Sequence, residues 1–106
     1  MFYELRQYKI VPGKMDAWVK VMEEEILPFQ VACGMVLTGL FRGEEDETAF
    51  VWMRRFESEE QRERLYARVY DSDHWKNEIG PHVAGLIEPG GVQVQRIVPT
   101  PHSATQ

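Results

Sequence analysis

Five residues, Gly43-Glu44-Glu45-Asp46-Glu47, separate two runs of strand-like sequence, and no other feature restricts the fold as much. The flanking runs, residues 35–42 (MVLTGLFR) and 48–56 (TAFVWMRRF), are rich in β-branched and aromatic side chains. A parallel pair needs a crossover of about a dozen residues or more. The charged link is too short for that, so the two runs are expected to form an antiparallel hairpin.

On both sides of this hairpin the periodicity changes to that of a helix. In residues 14–33, Met15, Trp18, Val19, Met22 and Ile26 fall on one face. Asp16 suits the positive end of the helix dipole. Pro28 should kink or end the regular helix, and Gly34 should stop the chain's helical course. After the hairpin, Ser58-Glu59-Glu60-Gln61 has the form of a capping box and predicts a helix over about 59–70. Leu65 and Val69 form its apolar stripe, flanked by Tyr66 and Tyr70. Asp71-Ser72-Asp73 interrupts it and can cap a second segment over 73–79, which Gly80-Pro81 breaks. Residues 82–88 leave loop and helical turn both open.

Alternating runs bound the whole. Residues 2–11 read as the first strand, stopped by Val11-Pro12-Gly13-Lys14, and residues 92–98 (VQVQRIV) as the last, after a Gly90-Gly91 turn. Residues 99–106 read as a flexible C-terminal tail beyond a single domain of residues 1–98. The order β-α-β-β-α-β is the ferredoxin-like, split βαβ pattern of the α+β class. Right-handed crossovers then give an antiparallel sheet in the order 4-1-3-2, with both helices on one face and the first strand central.

The balance of 17 acidic against 12 basic residues gives a formal charge of −5. No basic run extends beyond Arg54-Arg55, so nucleic acid and anionic lipid are not expected partners. Glu23 to Glu25 and Glu44 to Glu47 read as solvated surface. The single cysteine, Cys33, permits no internal disulfide and reads as a small buried apolar residue. No leader-like segment and no apolar run of membrane-spanning length is seen, so a soluble cytoplasmic protein is the expectation.

The first strand poses a problem. One of its rows carries Phe2, Glu4, Arg6, Tyr8 and Ile10, the other Tyr3 and Leu5. With Tyr3 and Leu5 assigned to the helices, the charged row lies on the open face. There it would be joined by Phe50, Trp52, Arg54 and Phe56 of the third strand, while Ala49, Val51 and Met53 pack inward. So much aromatic surface is too much to leave wet. A second copy is therefore expected to cover this face, making a homodimeric α/β barrel with a small-molecule pocket inside.

The ordered set of segments resembles one known family. "YELRQYKIVPGKMDAW", then "EEEILPFQVACGMVLTGLF", "FVWMRRFESEEQRERLYA" and "DSDHWKNEI" resemble NIPSNAP-type domains over about residues 2–98. The resemblance implies a dimeric α/β barrel of ferredoxin-like topology. Related barrels include cofactor-free monooxygenases, haem-degrading oxygenases, isomerases and cyclases, an analogy that rests on fold alone.

Candidate chemistry follows from residue type. Glu4 beside Arg6 reads either as an acid/base carboxylate next to an anion-binding guanidinium or as a structural ion pair. Arg54 needs a partner wherever it is enclosed. Tyr8, Trp52 and Trp75 could shape or hydrogen-bond a ligand, or simply fill the core. His74 is a second candidate for moving a proton, and the residue through which haem would be the one alternative to no cofactor. His74, His82, His102 and Cys33 show no metal-ligand spacing. The expected function is binding, with isomerisation, cyclisation or cofactor-independent oxygenation, of a small carbonyl-bearing or anionic compound. A non-enzymatic interaction or ligand-sequestering dimer is the alternative.

Overall fold

Strand β1 (Phe2–Ile10) lies between β3 (Ala49–Phe56) and β4 (Ile87–Ile97), pairing antiparallel with both. The hairpin partner β2 (Val36–Arg42) completes a four-stranded sheet in the order β2-β3-β1-β4. The computed structural model describes all residues, 1–106. The antiparallel sheet with its helices on one side is the expected α+β ferredoxin-like fold. The last strand starts at Ile87 and runs through Gly90-Gly91, where a turn is expected, while residues 82–83 of the stretch left open end a short helix.

The first helical region runs α1 (Met15–Val21), a π-helical turn (Met22–Ile26), then α2 (Leu27–Ala32). The Leu27 N–H reaches back five residues to the Met22 carbonyl, immediately before Pro28. A proline ring in a regular helix collides with the carbonyl four residues back, and widening the turn is one way around that collision. Gly34, at φ 107°, ends the run in a conformation costly for any residue with a Cβ. Cys33 is half-buried at this end, its Sγ 4.0 Å from the Arg68 carbonyl oxygen, and so is less enclosed than its composition-based reading.

The second helical region repeats the device. Helix α3 (Glu59–Tyr70) is capped by Ser58, whose Oγ accepts from the Gln61 N–H at 3.1 Å. The Gln61 side chain reaches back to the Glu57 N–H at 2.7 Å, one residue earlier than a capping box requires. Beyond Asp71-Ser72 comes a second π-helical turn (Trp75–Ile79), then α4 (Gly80–Val83) with Pro81 in its first turn. Again the N–H just before the proline, that of Gly80, bonds five residues back, to Trp75.

The face assignment of β1 is the principal correction. Glu4, Tyr8 and Ile10 are buried against the helices, not on the open face, together with Phe50, Trp52, Arg54 and Phe56. Two observations fix this: Glu4 is bonded by Arg62 and Tyr66 of α3, and Arg54 by Gln30 of α2. The physical reason is area. The charged row also contains the largest apolar side chains of both central strands, and burying them outweighs the cost of enclosing Glu4 and Arg54, which pair, beside an Arg6 that stays partly exposed.

The opposite face carries Leu5, Gln7 and Lys9 on β1, with Ala49, Val51 and Met53 opposite them on β3. Tyr3 is enclosed on that side too, its hydroxyl donating to the Gln106 carbonyl at 2.5 Å. On β2 an irregularity between Leu37 and Gly39 shifts the register. Leu37 and Leu40 thereby pack toward the helices, while Val36 and Phe41 stay exposed on the open side. The core is formed by Ile10, Met15, Trp18, Met22, Ile26 and Ile79, with Tyr8, Phe50 and Trp52 from the sheet. A second cluster, Met35, Phe56, Leu65 and Val69, packs under α3. No helix is long and apolar enough to cross a membrane.

Candidate functional site

Register places Glu4 directly opposite Arg54 across the β1–β3 pair, and Arg6 opposite Trp52. Both charged side chains of the first pair are therefore delivered to the same point under the helices. The Arg54 Nη2 donates to Glu4 Oε1 at 2.8 Å. From above, α3 contributes residues at i, i+4 and i+8: Arg62, Tyr66 and Tyr70. Arg62 Nε donates to Glu4 Oε2 at 2.6 Å, and the Tyr66 hydroxyl lies 2.7 and 2.9 Å from the two carboxylate oxygens. From the first helical region, Gln30 accepts from Arg54 Nη1 at 3.2 Å, and the Tyr70 hydroxyl accepts from the same nitrogen at 2.8 Å.

Arg54 is fully buried, and its guanidinium carbon lies 4.7 Å from the Trp52 ring centre and 4.9 Å from that of Tyr66. Such aromatic faces stabilise a desolvated cation. Its Nε nevertheless has no partner. The electrostatics of the cluster are set by these contacts. Burial works against the Glu4 carboxylate, but Arg62, Tyr66 and Arg54 together hold its pKa below the ordinary value. Burial pushes the Tyr66 phenol up to about 12. Glu4 is thus a carboxylate and Tyr66 a protonated donor throughout the neutral range.

Next to this cluster lies a cavity of about 190 Å³ between sheet and helices. Arg6, Tyr8, Trp52 and Trp75 line it, as do Trp18, Ile26, Gln30, Tyr66 and Tyr70. The Arg6 Nε donates to the Tyr8 hydroxyl at 3.0 Å. Its Nη1 reaches Tyr66 Oη at 3.4 Å and stands 3.8 Å from Glu4 Oε1. The Trp75 ring meets Tyr70 edge-on, with centroids 4.9 Å apart. Of the residues the sequence singles out, Arg6, Tyr8, Trp52 and Trp75 are therefore brought to one cavity. Glu4 and Arg54 lie one hydrogen bond behind its wall, reached through Tyr66 and Gln30 or Tyr70.

His74 is not brought to this cavity. Its exposed ring lies tilted against Phe29, 4.7 Å between centroids, and pairs with Glu78 one turn on. It faces an outer groove shared with Glu24, Glu25 and His82, the last bonded to Glu25 at 2.7 Å. The helix turns its other side, with Trp75 and Ile79, to the core, which is why residues 74 and 75 part company. The groove does not fit haem through His74: an open, carboxylate-rich wall lacks the apolar enclosure a porphyrin needs.

Tyr66, Tyr70, Gln30, Arg62 and Trp18 were not singled out as site residues. The i, i+4, i+8 spacing of Arg62, Tyr66 and Tyr70 was the available signal, since it marks one helix face.

Comparison with known proteins bears on the family and the fold. The NIPSNAP family model matches residues 3–104. A NIPSNAP family protein of unknown function from Agrobacterium tumefaciens is 29% identical, covering 100% of this chain and 94% of its own, with a TM-score of 0.88. An uncharacterized NIPSNAP domain protein from Burkholderia xenovorans is 19% identical over 97% of this chain and 98% of its own, with a TM-score of 0.85. A putative antibiotic biosynthesis monooxygenase from Nitrosomonas europaea is 12% identical and shares the fold, with a TM-score of 0.68 over 93% of this chain and 98% of its own. No curated protein matches. With the match spanning nearly all of its residues, the chain belongs to the NIPSNAP family.

Proposed function

We propose that this protein binds a small carbonyl-bearing or anionic organic compound in the cavity between its sheet and helices. The observation that carries the reading is the composition of that wall: aromatic and aliphatic surface with Arg6 and the Tyr8 and Tyr70 hydroxyls converging on it. Arg6 and Tyr8 are suited to polarise an oxygen of the ligand and to stabilise an enolate-like anion. Isomerisation, cyclisation and cofactor-independent oxygenation can each proceed from such an anion. A proton leaving the ligand would reach Glu4 through the Tyr66 hydroxyl, since no carboxylate lines the cavity itself.

A second reading, sequestration without turnover, is favoured by one observation. Glu4 and Tyr66 are both held away from neutral pKa values, in opposite directions, so neither is tuned for proton transfer near pH 7.

The assembly we propose is a homodimer joined through the open sheet face, now with Val36, Phe41, Val51 and Met53 rather than the charged row at the contact. Sedimentation equilibrium of the chain and of Phe41→Lys tests it. A dimer that the substitution dissociates is the expected result, and a monomeric parent chain would overturn it.

The pocket is tested by native mass spectrometry of protein purified without dialysis, followed by a screen of small carbonyl compounds. Ile26→Trp, which places a larger side chain in the cavity wall, should abolish the binding seen with the parent chain. Equal binding by both, or none by either, would refute the assignment.

A further inference from the structure

The cavity contains a cation without an equivalent anion. Glu4 is already engaged by three donors: Arg54 at Oε1, Arg62 at Oε2, and the one Tyr66 proton shared between the two oxygens. Arg62 has a further partner at the surface in Glu59, at 3.3 Å. Arg6 has neither. Its nearest carboxylate oxygen is that of Glu4, at 3.8 Å, beyond hydrogen-bond reach. Its Nε and Nη1 donate only to phenol oxygens, and its Nη2 donates to nothing. The Arg6 side chain keeps 16% exposure, so its free Nη2 is open to a bound carboxylate, which supplies a matching pair of acceptors.

The rest of the wall is short of acceptors as well. Trp18 and Trp52 line the cavity with ring surface, their indole N–H groups being fully buried and turned to no partner. Gln30 has spent its carbonyl on Arg54 and an amide proton on Tyr70. The Tyr70 hydroxyl accepts twice, and neither Tyr70 nor Tyr8 donates to any protein group. The donors left unspent at the wall, Arg6 Nη2 and the Tyr8 and Tyr70 hydroxyl protons, select a ligand rich in lone pairs.

Size and shape narrow the class. A dry apolar cavity of about 150 Å³ takes up benzene. The 190 Å³ here, bounded by Trp18, Trp52 and Trp75, holds one such ring and a small polar substituent.

Building on the pocket reading above, we infer that the ligand class is a single-ring aromatic carboxylate. Its carboxylate sits on Arg6 and the Tyr8 hydroxyl, and its ring lies among the tryptophans.

The experiment is calorimetric titration of the full chain with benzoate, benzamide and cyclohexanecarboxylate at neutral pH, with tryptophan fluorescence recorded in parallel. Benzoate should bind saturably and perturb the fluorescence. Benzamide, its neutral counterpart, should bind ~10-fold or more weakly, as the loss of a charge-assisted pair implies. Cyclohexanecarboxylate should bind more weakly than benzoate. Arg6→Met should lose the preference for benzoate over benzamide, while exposed Arg64→Met retains it. Benzamide binding as well as benzoate would overturn the inference and leave the pocket intact. Binding by none of the three would overturn both. An undiminished preference in Arg6→Met would also overturn it, and if that variant does not fold, the comparison on the parent chain decides.

Discussion

Glu4 and Arg54 are buried partners across adjacent strands, joined at 2.8 Å, and each depends on the other for its place in the core. Removing one leaves an uncompensated charge. Glu4→Gln and Arg54→Met should each cost about 3–5 kcal/mol in urea unfolding. The double substitution should cost less than the two added together, because the second change removes the charge that the first had stranded. Strict additivity would mean that the pair is not coupled.

The same carboxylate gives the fold an acid sensitivity with a definite sign. The Glu4 pKa is lowered in the folded chain, chiefly by Arg62, Tyr66 and Arg54 against the opposing effect of burial. The unfolded chain therefore binds a proton more readily, and stability rises with pH across this window. The contribution is complete above the ordinary carboxylate value of 4.5 and is lost as pH falls through the lower folded value. Denaturant unfolding from pH 7 down to about 3 should show a steeper decline for the parent chain than for Glu4→Gln.

At the alkaline end Tyr66 has the mirror-image signature. Its phenol is held protonated up to about 12, above the usual 10.0, mainly by burial. Its stabilising contribution is complete below 10.0 and is lost as pH rises through 12. Ultraviolet titration of the phenolate band should show a late-ionising step, and Tyr66→Phe should diminish it.

Two glycines near the hairpin separate cheap from costly additions of a methyl group. A Cβ at Gly39 would press on the tip of the Phe41 ring, an exposed side chain that can swing aside. A Cβ at Gly43 would press on the Asp46 backbone carbonyl, which cannot. Gly43→Ala should lower stability by about 1–3 kcal/mol, and Gly39→Ala by clearly less. Thermal melts of the two variants give the order directly, and the reverse order would contradict the geometry.

The topology was legible because short-range signals determine it. The five-residue link forces the hairpin, Ser58 caps α3, and Gly34 ends the first helical region. The orientation of β1 was not legible, and the reason is specific. Assigning Tyr3, Leu5 and the aliphatic row of the third strand to the helices puts Glu4 and Arg6 outward, but their partners Arg62 and Tyr66 lie about sixty residues away on α3. Nothing local announces that a helix will deliver them. For the same reason Arg6, Tyr8, Trp52 and Trp75 line a cavity between sheet and helices, and not the open sheet face on which the sequence reading places them. His74 and Trp75, neighbours in sequence, leave the helix in different directions, one to the outer groove and one to the cavity.

The paired π-helical turns carry an evolutionary corollary. Each amounts to one residue inserted into an otherwise regular helix, just ahead of a proline. Deleting a residue from an ordinary helix rotates everything beyond it by about 100°. Deleting Glu24 or Asn77 here would instead restore the common winding and leave Gln30 or Val83 in phase, provided Pro28 or Pro81 were replaced in the same step. Relatives one residue shorter in either helix should therefore lack the corresponding proline.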